Sequence, residues 1–419
     1  MFTKRGIVVG VLVVVAALAA QYYVGYTQEK KISSYYAIID SQEKTQDDVI
    51  ITDSDTKEID RCRTENPTQS TKANECMRAF YDQYAMQHGI EMAFEHLARL
   101  QKERPDLLQS CHYVSHGIGH AALRLYDDNP YKAFTVMQSR SFYKNVATCG
   151  NGFFHGVIEE VAKGVITKDE LVKKLGAICA NDSITEKGGC FHGIGHAAMI
   201  QTEYNVGDAL AICDGVSVRD NDAFACYSGS FMEYAQVFTD GVTITDKKVN
   251  FTLCDSLDEK YQPACYLEQS SFFDVYAKEK GNYTKNIVFC KQIENDVNRM
   301  ACIKLFAIRS VRLEHYHDIY DMCLNTETGY ERVMCTAVIA EKIASSVDDT
   351  RATEEYRNVV GGVCGTLNPL YARYCNDLVF RRGQQLFFTS EADLHFPPVA
   401  RVLGVATAEE WLRGIVGAL

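Results

Sequence analysis

The chain has 419 residues, 47% of them hydrophobic and 23% charged, with 43 Lys and Arg against 55 Asp and Glu. That length and apolar content suffice for a continuous core and exclude both a disordered chain and a small disulfide knot. A formal charge of −12, with no basic run beyond the first few residues, argues against a nucleic-acid partner, because affinity for a phosphate backbone comes largely from cationic side chains.

At the N-terminus Lys4 and Arg5 precede an uncharged run from Gly6 to Ala20, and Tyr22, Tyr23 and Tyr26 follow. The strict apolar stretch of about 14 residues has the length of a signal-peptide core, with Ala17-Leu18-Ala19 as a small-residue cleavage site. Extended through the tyrosines it reaches about 20 residues, enough to span a bilayer with an aromatic belt on the far side. Residues 1–26 are therefore expected to be a signal peptide or a membrane anchor. The tyrosine flank favours an anchor over residues 7–26. Either way the rest of the chain is exported. Residues 27–60 are polar and charged and read as a stalk, or as a first, poorly packed helix. The sequons at Asn181, Asn250 and Asn282 are candidate glycosylation sites on an exported chain.

Export makes disulfides the default state of the 16 cysteines. Seven pairs stand close in sequence: Cys62/Cys76, Cys179/Cys190, Cys213/Cys226, Cys254/Cys265, Cys290/Cys302, Cys323/Cys335 and Cys364/Cys375. Each separation lies between 11 and 14 residues. If the second member of each pair is taken together with Cys111 and Cys149, successive positions advance by between 33 and 41 residues. This is a repeat period. Each unit has one plan, as in Leu171 to Ile178, Cys179, a polar loop, and then Cys190 opening a second apolar segment. Two helices tied across a short polar turn make an αα-hairpin, and stacked hairpins make an α-solenoid. The expected fold is thus all-α: a right-handed α-solenoid of about eight to nine disulfide-stapled hairpins with a period near 37 residues. The repeats are expected over 61–390, with 61–205 rich in histidine and 206–390 plain, and residues 391–419 as a capping helix. Cys111 and Cys149 lack local partners and are expected to bridge adjacent repeats.

In period and cysteine placement, residues 61 to 380 resemble the cysteine-rich Sel1-like and TPR-like repeat proteins, exported α/α solenoids with one disulfide per hairpin. The resemblance implies a concave surface that binds a protein or a glycan.

Three consecutive repeats carry most of the histidines. The first has Cys111-His112-Tyr113-Val114-Ser115-His116-Gly117-Ile118-Gly119-His120, the second His155-Gly156-Val157-Ile158-Glu159-Glu160, and the third His192-Gly193-Ile194-Gly195-His196. Aligned on His-Gly, each helix offers two donors at i and i+4, which lie on one helical face within reach of one metal ion. Equivalent helices run side by side, so His116, His120, His155, Glu159, His192 and His196 are expected to converge on one wall of the solenoid as a metal site. His112, Glu160 and Glu233 stand behind them or as alternative ligands, and either glutamate suits the role of a base. His88, His96, His315 and His317 fall out of register and read as surface. The interior glycines 117, 119, 156, 193 and 195 each cost about 1 kcal/mol relative to Ala, which close helix approach or room for a bound group must offset.

With the cysteines oxidised, imidazole and carboxylate are the available donors, and they suit Zn²⁺, Cu²⁺ or non-haem Fe. Three or four ligands plus a water describe a catalytic centre of a metal-dependent hydrolase or oxidoreductase, whereas six donors have room for two ions. The alternative from a different class is a metal-free interaction scaffold that binds a protein or glycan on its concave face.

Overall fold

The computed structural model describes residues 53–382, apart from 66–69, 105–106, 108–109, 139–150, 166, 183, 185–186, 218, 239–242, 245–248, 271–282, 311–321, 325, 327–328 and 348–352. The expected N-terminal anchor, most of the stalk, the C-terminal cap, Cys149, Asn282, His315 and His317 lie outside the described residues. Among the described residues no helix is long and apolar enough to cross a membrane.

The chain divides into two compact units, whose described parts are residues 53–306 and 307–382. The first unit is helical except for one minimal antiparallel hairpin, β1 (Thr243–Ile244) and β2 (Val249–Asn250). Its first helix, α1 (Asp53–Thr64), begins inside the segment read as a stalk. It is followed by α2 (Ser70–His88), α3 (Ile90–Glu103), α4 (Cys111–Leu125), α5 (Pro130–Gln138), α6 (Gly152–Ala162), α7 (Lys168–Ala180), α8 (Lys187–Gln201), α9 (Val206–Val216) and α10 (Asp220–Val237). Beyond the hairpin come α11 (Thr252–Asp255), α12 (Gln262–Gln269), α13 (Tyr283–Cys290) and α14 (Asp296–Ser310), the last ending just past the division. The second unit packs α15 (Gly329–Val347), α16 (Glu354–Cys364) and α17 (Pro369–Arg382) against one another.

All seven local cysteine pairs are disulfide-bonded. Cys111 is also disulfide-bonded, and its expected partner, Cys149, is not among the described residues. Seven stapled pairs fit an oxidising, extracytoplasmic compartment. In one respect the hairpins differ from expectation. The second cysteine does not open its helix; Cys190 and Cys265 are fourth in theirs, and Cys76, Cys226, Cys302, Cys335 and Cys375 seventh. Three residues are close to one helical turn, so both positions present the thiol to the same side. Replacing Cys213 and Cys226 together by Ser is expected to lower unfolding free energy by about 3 kcal/mol, the chain-entropy value for a loop of this size. Denaturant titration reads this directly, and a loss below about 1 kcal/mol would show that packing alone holds the hairpin.

Capping differs among the helices. Thr167 accepts from the Glu170 N–H at 3.3 Å ahead of α7, Asn205 from Asp208 at 3.1 Å ahead of α9, and Thr353 from Tyr356 at 3.2 Å ahead of α16. Each of these helices also carries acidic residues in its first turn, which the helix dipole favours. By contrast α4, α6 and α10 have no side-chain cap. Burial marks the histidine helices: Val114 to Leu123 in α4, Gly152 to Glu159 in α6 and Gly189 to Met199 in α8 are buried without interruption. A helix buried all round belongs to the core. The histidine helices are therefore interior elements.

In the first unit α2, α4, α6, α8, α10 and α12 pack in series, each against the next. The glycines make that approach close. A Cβ at Gly156 would overlap the His116 carbonyl oxygen, one at Gly229 the His192 carbonyl, and one at Gly117 the Arg78 carbonyl. Backbone rests on backbone at these crossings, so close helix approach is what offsets the cost of helical glycine here.

Candidate metal centre

The interior row carries its polar groups to one place. His116 and His120 come from α4, His155 and Glu159 from α6, His196 from α8 and Glu233 from α10, and all six are buried. Burying so many polar atoms is costly unless each is bonded or coordinated, so their partners decide what the site is.

The two carboxylates hold histidines by one edge. Glu159 Oε1 lies 2.7 Å from His116 Nδ1, and Glu159 Oε2 accepts from His120 Nε2 at 3.0 Å. Arg78 approaches the same carboxylate at 3.8 Å. Glu233 accepts from His196 Nδ1 at 2.8 Å, from the Tyr204 hydroxyl at 3.2 Å and from Gln236 Nε2 at 3.2 Å. A carboxylate only accepts, so the ring proton of His196 sits on Nδ1 and its lone pair is on Nε2. His155 Nδ1 is 3.2 Å from His112 Nε2. The Nε2 atoms of His116, His155 and His196 are buried without a hydrogen-bond partner. A histidine held through Nδ1 by a carboxylate, with Nε2 left to coordinate, is the arrangement that outer partners impose on metal ligands.

Protonation points the same way. Burial pushes His116 down, and its neighbour Glu159 only partly counteracts that. Burial and then the surrounding imidazoles hold His155 and His192 well below the ordinary histidine value. Burial alone would raise Glu159, but His116 and His120 outweigh it and keep the carboxyl well below its usual range. At neutral pH His116, His155 and His192 are thus neutral beside an anionic Glu159, the forms that bind a cation.

Distances allow coordination. Ring centres of His112, His116 and His155 are 5.1, 4.9 and 5.4 Å apart, and those of His155, His192 and His196 are 4.8, 4.8 and 5.1 Å apart. Three imidazoles around one tetrahedral ion, with metal–nitrogen bonds of about 2.1 Å, have ring centres about 5 Å apart. Each of these triplets, and a third of Glu159, His196 and Glu233, has donor atoms that all lie within 4.8 Å of one another. The residues present therefore fit a metal ion.

Of the residues singled out in the sequence, His116, His155, Glu159, His192 and His196 are brought together, joined by His112 and Glu233. His120 belongs to none of these triplets, its Nε2 being bonded to Glu159. Glu160 turns to Lys163 and to Arg124, which also binds Asp82. His88 is exposed as expected, but His96 is not. It is fully buried, with Nδ1 3.0 Å from the Tyr81 hydroxyl, because α2 and α3 pack across it. Asn181 is exposed at the end of α7.

Tyr204 is the residue that sequence reasoning missed. It follows α8 in a turn where both Glu203 and Tyr204 have positive φ (52° and 64°), and Asp127 and Asp128 repeat that turn after α4. Left-handed backbone is unfavourable for non-glycine residues. At the second turn it delivers the hydroxyl to Glu233. The signal was present: Asp127-Asp128-Asn129 and Glu203-Tyr204-Asn205 stand in the same register to His116 and His192, each ending on an asparagine cap.

Comparison of the chain with known protein families, with characterised proteins and with solved structures finds no match.

Proposed function

We propose that this is an extracytoplasmic metal-binding protein, anchored through residues 7–26, whose helical hairpins form an α-solenoid with a transition-metal centre in its core. His116, His155, His192 and His196 supply the nitrogen ligands, and Glu159 and Glu233 fix the rings of His116 and His196. The observation that carries this reading is the set of buried Nε2 atoms on His116, His155 and His196 without hydrogen-bond partners, while Nδ1 of His155 and of His196 is hydrogen-bonded and that of His116 lies 2.7 Å from Glu159. An imidazole-rich donor set favours Zn²⁺, Cu²⁺ or Fe²⁺ over Mg²⁺ or Ca²⁺. Bound there, an ion supplies Lewis acidity or redox chemistry, on which a hydrolase or oxidoreductase activity would rest. The chain's own part is to hold rings in one tautomer, exclude bulk water and keep the ligands unprotonated.

Elemental analysis of full-length protein purified without chelator is expected to find at least one transition-metal ion per chain. A His116→Ala/His196→Ala variant should lose that metal. A wild-type protein that is metal-free, and stays so in added Zn²⁺, Cu²⁺ and Fe²⁺, would overturn the proposal and return an interaction scaffold for a protein or glycan as the better reading.

A further inference from the structure

The metal reading leaves one feature without an explanation, which is the excess of donors. A single ion in a catalytic site takes about three protein ligands, yet five imidazoles crowd within a few ångströms of one another around His155. They divide into two triplets, His112 with His116 and His155, and His155 with His192 and His196. His155 is the one residue common to both.

The position of His155 explains how. It lies on α6, the middle helix of the histidine row, and α4 flanks it on one side and α8 on the other. Its Nδ1 faces His112 Nε2 at 3.2 Å, while its Nε2 is buried and unbonded. One nitrogen is thus turned to His112 on α4, and the other has no hydrogen-bond partner. The α6 ring reaches both neighbours because the helices touch through backbone, Gly156 on the His116 carbonyl and Gly193 3.1 Å from the His155 Cα once a Cβ is built. A carboxylate stands at one ring of each triplet, Glu159 at His116 and Glu233 at His196, and these two rings are 5.3 Å apart. Each triplet thus has one ring with a carboxylate beside it, and the two triplets share the His155 imidazole.

Resting on the metal reading above, we infer that the centre is dinuclear, with one ion held by His112, His116 and His155, a second by His155, His192 and His196, and the His155 ring as the bridge. Both nitrogens of one imidazole coordinate when its ring N–H proton is given up to solvent as the second ion binds, so the bridge is an imidazolate. No redox step is required for assembly.

Cu²⁺ titration of full-length protein freed of metal tests this. Two ions per chain are expected, and the doubly loaded protein should show an electron paramagnetic signal well below that of two isolated Cu²⁺ ions, because an imidazolate couples their spins. His112→Ala and His192→Ala should each lower the stoichiometry from two to one and restore the full signal of a single ion. If the wild type saturates at one ion, which both variants abolish, the centre is mononuclear and the inference fails while the metal reading stands. Two uncoupled ions in the wild type would overturn the bridge. Failure to bind any Cu²⁺, Zn²⁺ or Fe²⁺ would overturn the metal reading itself. The wild-type stoichiometry and signal need no variant to fold.

Discussion

Metal-free protein is expected to lose thermal stability steeply as the pH falls below about 6.5. Burial holds His116, His155 and His192 below the ordinary histidine value in the folded state, whereas the unfolded chain protonates each near pH 6.5. Over that window the unfolded state binds more protons, so stability rises with pH and falls as acid is added. One such group contributes a slope of about 1.4 kcal/mol per pH unit, and three together up to about 4 kcal/mol per unit. This stability is fully present above the unfolded value and is lost as pH drops towards the folded ones. Glu159 adds a second loss further into acid, because its folded pKa is depressed. The stability it contributes is present above the ordinary carboxylate value and disappears as pH falls through the folded one. Melting curves on chelator-treated protein from pH 8 to about pH 2 measure this. The metal-loaded form should hold its melting temperature to lower pH, since ion and proton compete for the same nitrogens. A melting temperature that stays level between about pH 7 and about pH 5 would show that these imidazoles are not desolvated.

Gly156→Ala should be among the most damaging single substitutions in the chain. The added Cβ would occupy the space of the His116 carbonyl oxygen, and neither backbone can yield without moving α4 from α6. Overpacking of this kind costs at least about 3 kcal/mol. It should also abolish metal binding, because it separates His116 from His155. Gly361→Ala in α16 is the matched control. Nothing lies within 4 Å of its Cβ position, and an exposed helical glycine replaced by alanine is expected to gain up to about 1 kcal/mol. Denaturant unfolding of the two variants beside the wild type separates the effects. Equal stabilities would mean that the crossing at Gly156 is looser than the geometry shows.

Much of the architecture is legible in the chain because it is local. Cysteine pairs 11 to 14 residues apart bridge a helix end and the next helix whatever the tertiary arrangement, and Thr167, Asn205 and Thr353 cap helices through contacts three residues long. The i, i+4 spacing of His116 with His120, His155 with Glu159 and His192 with His196 put each pair on one face in advance. What spacing did not show was how the pairs divide their labour. His120 and Glu159 hold one another, while His112, one turn before His116, faces His155 instead. Glu233 lies outside the His-Gly register and enters through a hydrogen bond to His196 on the neighbouring helix.

The sequence by itself therefore determined the helical class, the stapled hairpins and the helices on which the chemistry rests, since each depends on contacts within about a dozen residues. Only the tertiary structure decided that these helices lie in the core, that glycines bring their backbones into contact, and that His96 is buried against Tyr81. Those outcomes depend on which faces of separate helices meet and how closely. The same packing sets the arrangement at the centre, where a neighbouring helix bonds one nitrogen of His155 and of His196 and the other is left without a hydrogen-bond partner.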